Sequence, residues 1–177
     1  AGDTTGFQYP NLSSLILADS NQSIVSSWAC SEKVVTVGNF RNRWSYEDMN
    51  GNNYSNSDPT VAGQLSHNSS KGPNRHNVIK PDIIAAGDVA LAAAPLSYLS
   101  NPANNAAIDS GGWHARGGGT SMSSPVVGGI AALYLERCNQ ATYQDFLTDI
   151  KATAFQDGFT GTIPNNADGY GKIHALN

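Results

Sequence analysis

Charged side chains are scarce in this sequence, and long apolar runs are absent. Asp, Glu, Lys and Arg make up 14% of the 177 residues, whereas about 25% is usual in soluble domains. A net charge of −4 offers no basic surface that would attract nucleic acid or an anionic membrane. No apolar stretch reaches the roughly 18 residues of a membrane-spanning helix, so we expect no membrane span.

Cysteine is also sparse, with only Cys30 and Cys138 in the chain. A disulfide between them would close a long loop and would suit a protein outside the cytoplasm. Two buried free thiols are the other interpretation, and the sequence leaves both open.

The apolar segments that are present predict one domain in which buried strands alternate with helices, an α/β arrangement with a parallel sheet. Residues 34–40 form a β-branched run typical of a buried strand, and residues 78–95 hold one or two strands split at Gly87. Residues 143–155 are amphipathic and predict a surface helix whose buried face carries a few apolar side chains: Phe146, Leu147 and Ile150.

The helix predicted over residues 121–137 is apolar on every side, which favours a buried position at the centre of the domain. Only two or three strands are available to cover it. Residues 44–64 and 96–117 are rich in Asn, Gly and Asp and are predicted to be long loops. Residues 169–176 predict a short final element.

A string of three glycines leads into the apolar helix at Ser121. The first N–H groups of a helix lack helical partners and favour negative charge, which an acyl-transfer enzyme needs for its oxyanion. We expect Pro125 in the first turn, where a missing N–H costs nothing. The alternative is that Thr120 or Ser121 is an ordinary N-cap residue of a buried helix.

The string "GGTSMSSP" at residues 118–125 resembles the nucleophile signature of the subtilases, the subtilisin-like serine peptidases. Four segments resemble further parts of that family in the order it requires: residues 34–40, 68–73, 80–87 and 169–173. Residues 80–87 resemble the family's Lys-Pro-Asp-Ile-x-Ala-Pro-Gly segment, except that Ala86 stands where proline is usual. The resemblance implies a subtilisin-like α/β fold, with a partial parallel sheet around a buried central helix, and Ser121 as the nucleophile.

The family's other catalytic motifs, Asp-[Ser/Thr]-Gly and His-Gly-[Thr/Ser], do not occur in this sequence. Asp3 matches the position of the family's Ala-Gly-Asn, whose Asn supplies an oxyanion donor. The alternative for Asp3 is an ordinary terminal residue. Each of the four histidines is interpreted as a surface or loop residue: His67, His76, His114 and His174.

The resemblance therefore implies that residues 1–177 are the C-terminal portion of a peptidase domain whose N-terminal half carries Asp and His. The expected function is that of a serine endopeptidase segment, with that half and a peptide or protein substrate as partners. A non-catalytic, subtilase-like module is the alternative. The chemistry requires no cofactor, structural calcium is compatible with the oxygen-rich loops, and the expected location is secreted or extracytoplasmic.

Overall fold

The computed structural model describes residues 23–55 and 58–174. These residues form six strands, three α-helices and two 3-10 helices. In chain order they are a 3-10 helix at Ser27–Cys30, β1 (Val37–Arg41), β2 (Ser45–Glu47), β3 (Asn53–Ser55), β4 (Ile83–Asp88), β5 (Ala90–Ala93), α1 (Leu96–Leu99), a 3-10 helix at Pro102–Ala107, β6 (His114–Gly117), α2 (Thr120–Arg137) and α3 (Tyr143–Thr153).

Strands β1 and β4 run parallel to each other, and α2 packs against both. Strand β4 is buried along nearly its whole length, as expected for a continuous apolar strand in a parallel sheet. The core is formed by β4, α2 and α3 through six buried side chains: Ile83, Ala85, Val127, Tyr134, Phe146 and Ile150. The predicted strands and both predicted helices are confirmed, but the break in the second strand segment falls at Val89 rather than at Gly87, which lies within β4. The predicted buried face of α3 includes Phe146 and Ile150.

Helix α2 is half covered rather than enclosed by the described chain. Its buried residues are Ser123, Val127 and Tyr134, which all belong to the face turned toward β1, β4 and α3. On the opposite face Leu133 is 65% exposed. The cause is the size of the sheet, because the described parallel sheet contains two strands and can cover one side of a helix only.

The two segments predicted as loops contain short elements, so these loop predictions were wrong in part. Strands β2 and β3 form an antiparallel hairpin, and β5 pairs antiparallel with β6. In the hairpin turn, Asp48 Oδ1 accepts hydrogen bonds from the backbone N–H groups of Asn50 and Asn52, each at 2.9 Å. Strands β2, β3 and β6 are three or four residues long and lack an alternating apolar pattern, so they carry no strand signal in the sequence.

The final element is a pair of isolated bridges rather than a strand, in which Lys172 pairs with Ile84 and Phe155. Neither Cys30, which is partly buried, nor Cys138, which is exposed, is in a disulfide. The disulfide alternative is therefore wrong for this structure, as is the expectation that both thiols are buried. Among the described residues, none of the helices has the length and apolar character to cross a membrane.

Candidate active site

Ser121 lies at the start of α2 with its side chain exposed to solvent. The N-cap residue is Gly119, whose φ of 87° suits glycine, and no side chain caps this helix. The alternative reading of Thr120 or Ser121 as an N-cap is therefore wrong. Within the described chain Ser121 Oγ makes no hydrogen bond, so the hydroxyl is available to a further hydrogen-bond partner.

Pro125 lies farther into α2 than the first turn, as the sixth residue of a helix that begins at Thr120. Its ring nitrogen has no hydrogen to donate to the carbonyl group of Ser121, four residues earlier. The carbonyl group of Ser121 is thus released from the usual helical ladder next to the exposed hydroxyl.

The turn that carries Ser121 is held by Ser123, which is fully buried. Ser123 Oγ lies 3.0 Å from Asn39 Oδ1 and 3.1 Å from the carbonyl oxygen of Ala85. A Cβ atom at Gly87 would lie 2.0 Å from Ser123 Oγ. Glycine at position 87 therefore lets the first turn of α2 approach the carboxyl ends of β1 and β4.

A β-bulge at Gly87 shifts the register of β1 and β4, so that Arg41 is paired with Asp88. The Arg41 side chain is fully buried, and its Nε and Nη2 donate to Asp88 Oδ2 at 2.9 and 2.7 Å. Nη2 also donates to Asp58 Oδ2 at 2.9 Å. A Cβ atom at Gly118 would lie 3.4 Å from Asp88 Oδ1, so this ion pair borders the loop that enters Ser121.

The residue after Asp88 is Val89, which is buried and has a φ of 53°. A β-branched residue with positive φ is an outlier whose cost, about 1–3 kcal/mol, must be met by the surrounding contacts. The bulge, the buried ion pair and the strained backbone thus occur together, directly beneath the glycine loop.

The four histidines have other neighbours than Ser121. His67 Nδ1 contacts Asp58 Oδ2, and His114 Nδ1 lies 3.3 Å from Asp109 Oδ2. Burial raises the pKa of Asp58, but hydrogen bonds from Thr60 and the nearby charges of His67 and Arg41 outweigh it and leave that pKa below its usual value.

The other candidate residues from the sequence are His76, His174 and Asp3. The backbone N–H of His76 donates to Asn74 Oδ1 at 3.0 Å, and the ring of His174 meets Phe155 edge to face. Asp3 lies outside the described residues. In the part of the chain that is described, no group of three His, Cys, Asp or Glu side chains has the arrangement of a metal site.

The comparison with protein families identifies the chain. The sequence model of the subtilase family matches residues 1–171, nearly the whole length. The chain belongs to the subtilase family. The fold of the chain is similar to that of the CspB protease of Clostridium perfringens, with a TM-score of 0.57 and 24% sequence identity.

Two curated proteins are similar in sequence. The serine protease AprX of Bacillus subtilis (strain 168) is 34% identical over 114 residues, which are 64% of this chain and 23% of AprX. The uncharacterized protein aq_aa18 of Aquifex aeolicus (strain VF5) is 29% identical over 133 residues, 75% of this chain and 55% of that protein. The match to CspB covers 86% of this chain and 27% of CspB. This subtilase chain thus spans from about a quarter to just over half of these relatives.

The subtilase motifs predict Ser121 as a site residue, but they do not predict the contacts that fix its surroundings. The Arg41–Asp88 pair joins residues that are 47 positions apart. The one signal for this ion pair in the sequence is that each of the two buried-strand patterns, those of β1 and β4, ends in a charged residue. The role of Ser123 had no signal beyond membership of the signature string.

Proposed function

We propose that this chain is the C-terminal portion of a subtilase peptidase domain and that Ser121 is the nucleophile of a serine endopeptidase. The N-terminal half, carrying the catalytic Asp and His, completes the domain. We call the assembly of that half with this chain the complete domain. Peptides or proteins are the substrates, because the family consists of peptidases.

The observation that carries this proposal is an exposed, unbonded hydroxyl on a helix turn that is otherwise held rigidly by the buried Ser123. In the reaction, Ser121 Oγ attacks the peptide carbonyl while the His of the other half takes its proton. N–H groups at the start of α2 stabilise the oxyanion. The amine leaves with a proton from that His, and water then hydrolyses the acyl-enzyme.

The uncovered face of α2 supports the proposed N-terminal half. Besides Leu133, Val126, which lies seven residues earlier on the same side of this helix, is 42% exposed. Exposed apolar surface of this kind usually belongs to an interface. We expect the half-domain to bury more than about 2,000 Å² against this chain, as obligate interfaces do.

Three further assignments belong to this proposal and stay predictions. Asp3 occupies the oxyanion position, where only a protonated carboxyl can donate a hydrogen bond. The protein is secreted or extracytoplasmic, as the resemblance implies. No cofactor takes part in the reaction, and calcium, if it binds, has a structural role.

The test is labelling of the complete domain with a fluorophosphonate probe, followed by mass spectrometry of the modified peptide. We expect the probe on Ser121 and no labelling of Ser121→Ala. Ser124→Ala is the matched control, because Ser124 is also exposed and lies in the same stretch of α2; it should label at the wild-type rate.

The alternative function, a non-catalytic subtilase-like module, makes the opposite prediction. A complete domain with its Asp and His intact would then take up no probe. The observation that favours this alternative is the Asp at position 3, because an ionised carboxylate in the oxyanion position cannot donate a hydrogen bond. Labelling that persists in Ser121→Ala would contradict the assignment of the nucleophile.

A further inference from the structure

Arg116 is a cation without an acidic partner, close along the chain to Ser121. It lies in β6, is exposed, and its guanidinium carbon sits 4.1 Å from the centroid of the Tyr54 ring. Among the described residues it forms no ion pair and no hydrogen bond through its side chain. The stacking leaves the edge of the guanidinium, with its N–H donors, available to a ligand.

The ring beneath Arg116 is part of a fixed stack. Tyr54 stacks on Tyr46 with ring centroids 5.0 Å apart, and Tyr46 Oη donates to the carbonyl oxygen of Ala106 at 2.8 Å. Burial raises the pKa of Tyr46, while the charge of Arg116 acts in the opposite direction. The Tyr54–Tyr46 stack therefore links residues 44–64 to residues 96–117, and Arg116 lies on side chains that are already held in place.

The backbone of Arg116 is also fixed relative to Ser121. Arg116 is paired with Leu91 of β5, and its neighbour Ala115 bridges to Ile108 on the other side of β6. Ser121 follows Arg116 by five positions in the chain, so their Cα atoms lie within about 18 Å of each other. An extended peptide advances about 3.3 Å per residue, so Arg116 is within reach of a residue a few positions from the scissile bond.

We propose that Arg116, held on the Tyr54–Tyr46 stack, binds a carboxylate of the substrate a few residues from the bond that Ser121 attacks. The inference rests on the proposed function. A planar guanidinium forms two parallel hydrogen bonds with a carboxylate, and carboxylates are the common anions of peptides. An Asp or Glu side chain and a C-terminal carboxylate share this chemistry.

The experiment is a cleavage profile of the complete domain on peptides that carry Asp or Glu, or the isosteric Asn or Gln, at each position in turn. At one position the acid should raise kcat/KM about tenfold over the amide. Peptides with a free or amidated C-terminus distinguish a terminal carboxylate from a side chain. The preference should shrink at high salt, because Arg116 is exposed.

Variants assign the preference to this side chain. Arg116→Gln should remove the preference, so that the acid and amide peptides are cleaved with equal kcat/KM, and Arg116→Glu should reverse it in favour of Lys. Tyr54→Phe, which keeps the ring, should retain the preference, whereas Tyr54→Leu should weaken it.

The outcomes separate this inference from the proposed function. Cleavage without an acidic preference, or a preference that survives Arg116→Gln, overturns the role of Arg116 alone. Absence of cleavage by the wild-type domain, or cleavage that persists in Ser121→Ala, overturns the proposed function and this inference with it.

Discussion

The first turn of α2 and the outer face of its later turns are held in opposite ways. At the first turn, Ser123 is fully buried and its hydroxyl is within hydrogen-bond distance of two acceptors, while Arg41 and Asp88 pair beneath the adjoining loop. On the outer face, by contrast, Leu133 is 65% exposed. The described residues therefore build the surroundings of Ser121 and leave the apolar flank of the same helix uncovered.

The difference has a physical reason. Buried polar groups stabilise a structure only when their hydrogen bonds are made with good geometry, and a set that is fully satisfied fixes one arrangement. Apolar contacts are less directional, so the flank accepts any well-packed partner surface. Directional contacts are thus concentrated around Ser121, the proposed nucleophile, whereas the flank that we propose for association needs only coverage by an apolar surface.

The largest effect should come from breaking the buried ion pair with Arg41→Met. Methionine has similar length but leaves the Asp88 carboxylate, whose side chain is 10% exposed, without its cation. Removing one partner of a buried pair costs about 3–5 kcal/mol. Urea unfolding of the complete domain should show this loss, and the rate of fluorophosphonate labelling of Ser121 should fall as well.

The double variant Arg41→Met/Asp88→Leu is the control for that measurement. Replacing both charges by apolar groups removes the buried carboxylate of Asp88, so part of the lost stability should return; the rest reflects Asp58, which also loses its bond to Arg41. A single variant within about 0.5 kcal/mol of the wild type, the usual range for a surface substitution, would mean that the pair contributes nothing here.

The parts of the fold that sequence could predict are those encoded by neighbouring residues. Three local patterns predicted elements that the structure confirms. They are the continuous apolar run of β4, the three glycines that precede α2 and the spaced apolar residues of α3. The motif strings added the family, which local patterns alone do not supply.

What sequence could not predict depends on register and on contacts between distant segments. Arg41 meets Asp88 because of a bulge at Gly87, and a shift of one residue leaves no trace in the pattern. Arg116 meets Tyr54 because two Asn- and Gly-rich segments fold against each other. Both segments resembled solvated loops, since polar short strands have the same composition as loops.

An intermediate effect is expected from Leu133→Ala, which probes the uncovered flank. If the N-terminal half covers this face, the substitution removes a buried side chain and should destabilise the complete domain by about 2 kcal/mol. Glu136→Ala, an exposed change on the same helix, should stay within about 0.5 kcal/mol. Equal effects of the two substitutions in urea unfolding would contradict coverage of this flank by the other half.

The smallest effect concerns Tyr134, a buried residue of α2 beyond the first turn. Tyr134 Oη donates to Asp149 Oδ2 of α3 at 2.6 Å. This hydrogen bond, with a contribution from burial, raises the pKa of Tyr134 to about 12. A folded pKa above the unfolded value of about 10 means that the stabilisation is complete below pH 10 and is lost as pH rises toward 12.

Tyr134→Phe keeps the ring that packs on Phe146 but lacks the hydroxyl. The variant should therefore melt at a lower temperature than the wild type at pH 8, and this gap in melting temperature should close between pH 10 and 12. Thermal melts of both proteins across this range measure the gap, in which the other tyrosines cancel. Asp149→Asn keeps a hydrogen-bond acceptor without the charge, so at pH 8 its melting temperature should lie closer to that of the wild type than the melting temperature of Tyr134→Phe does. A gap that stays constant up to pH 12 would mean that the hydroxyl stabilises the helix pair by some means other than its bond to Asp149.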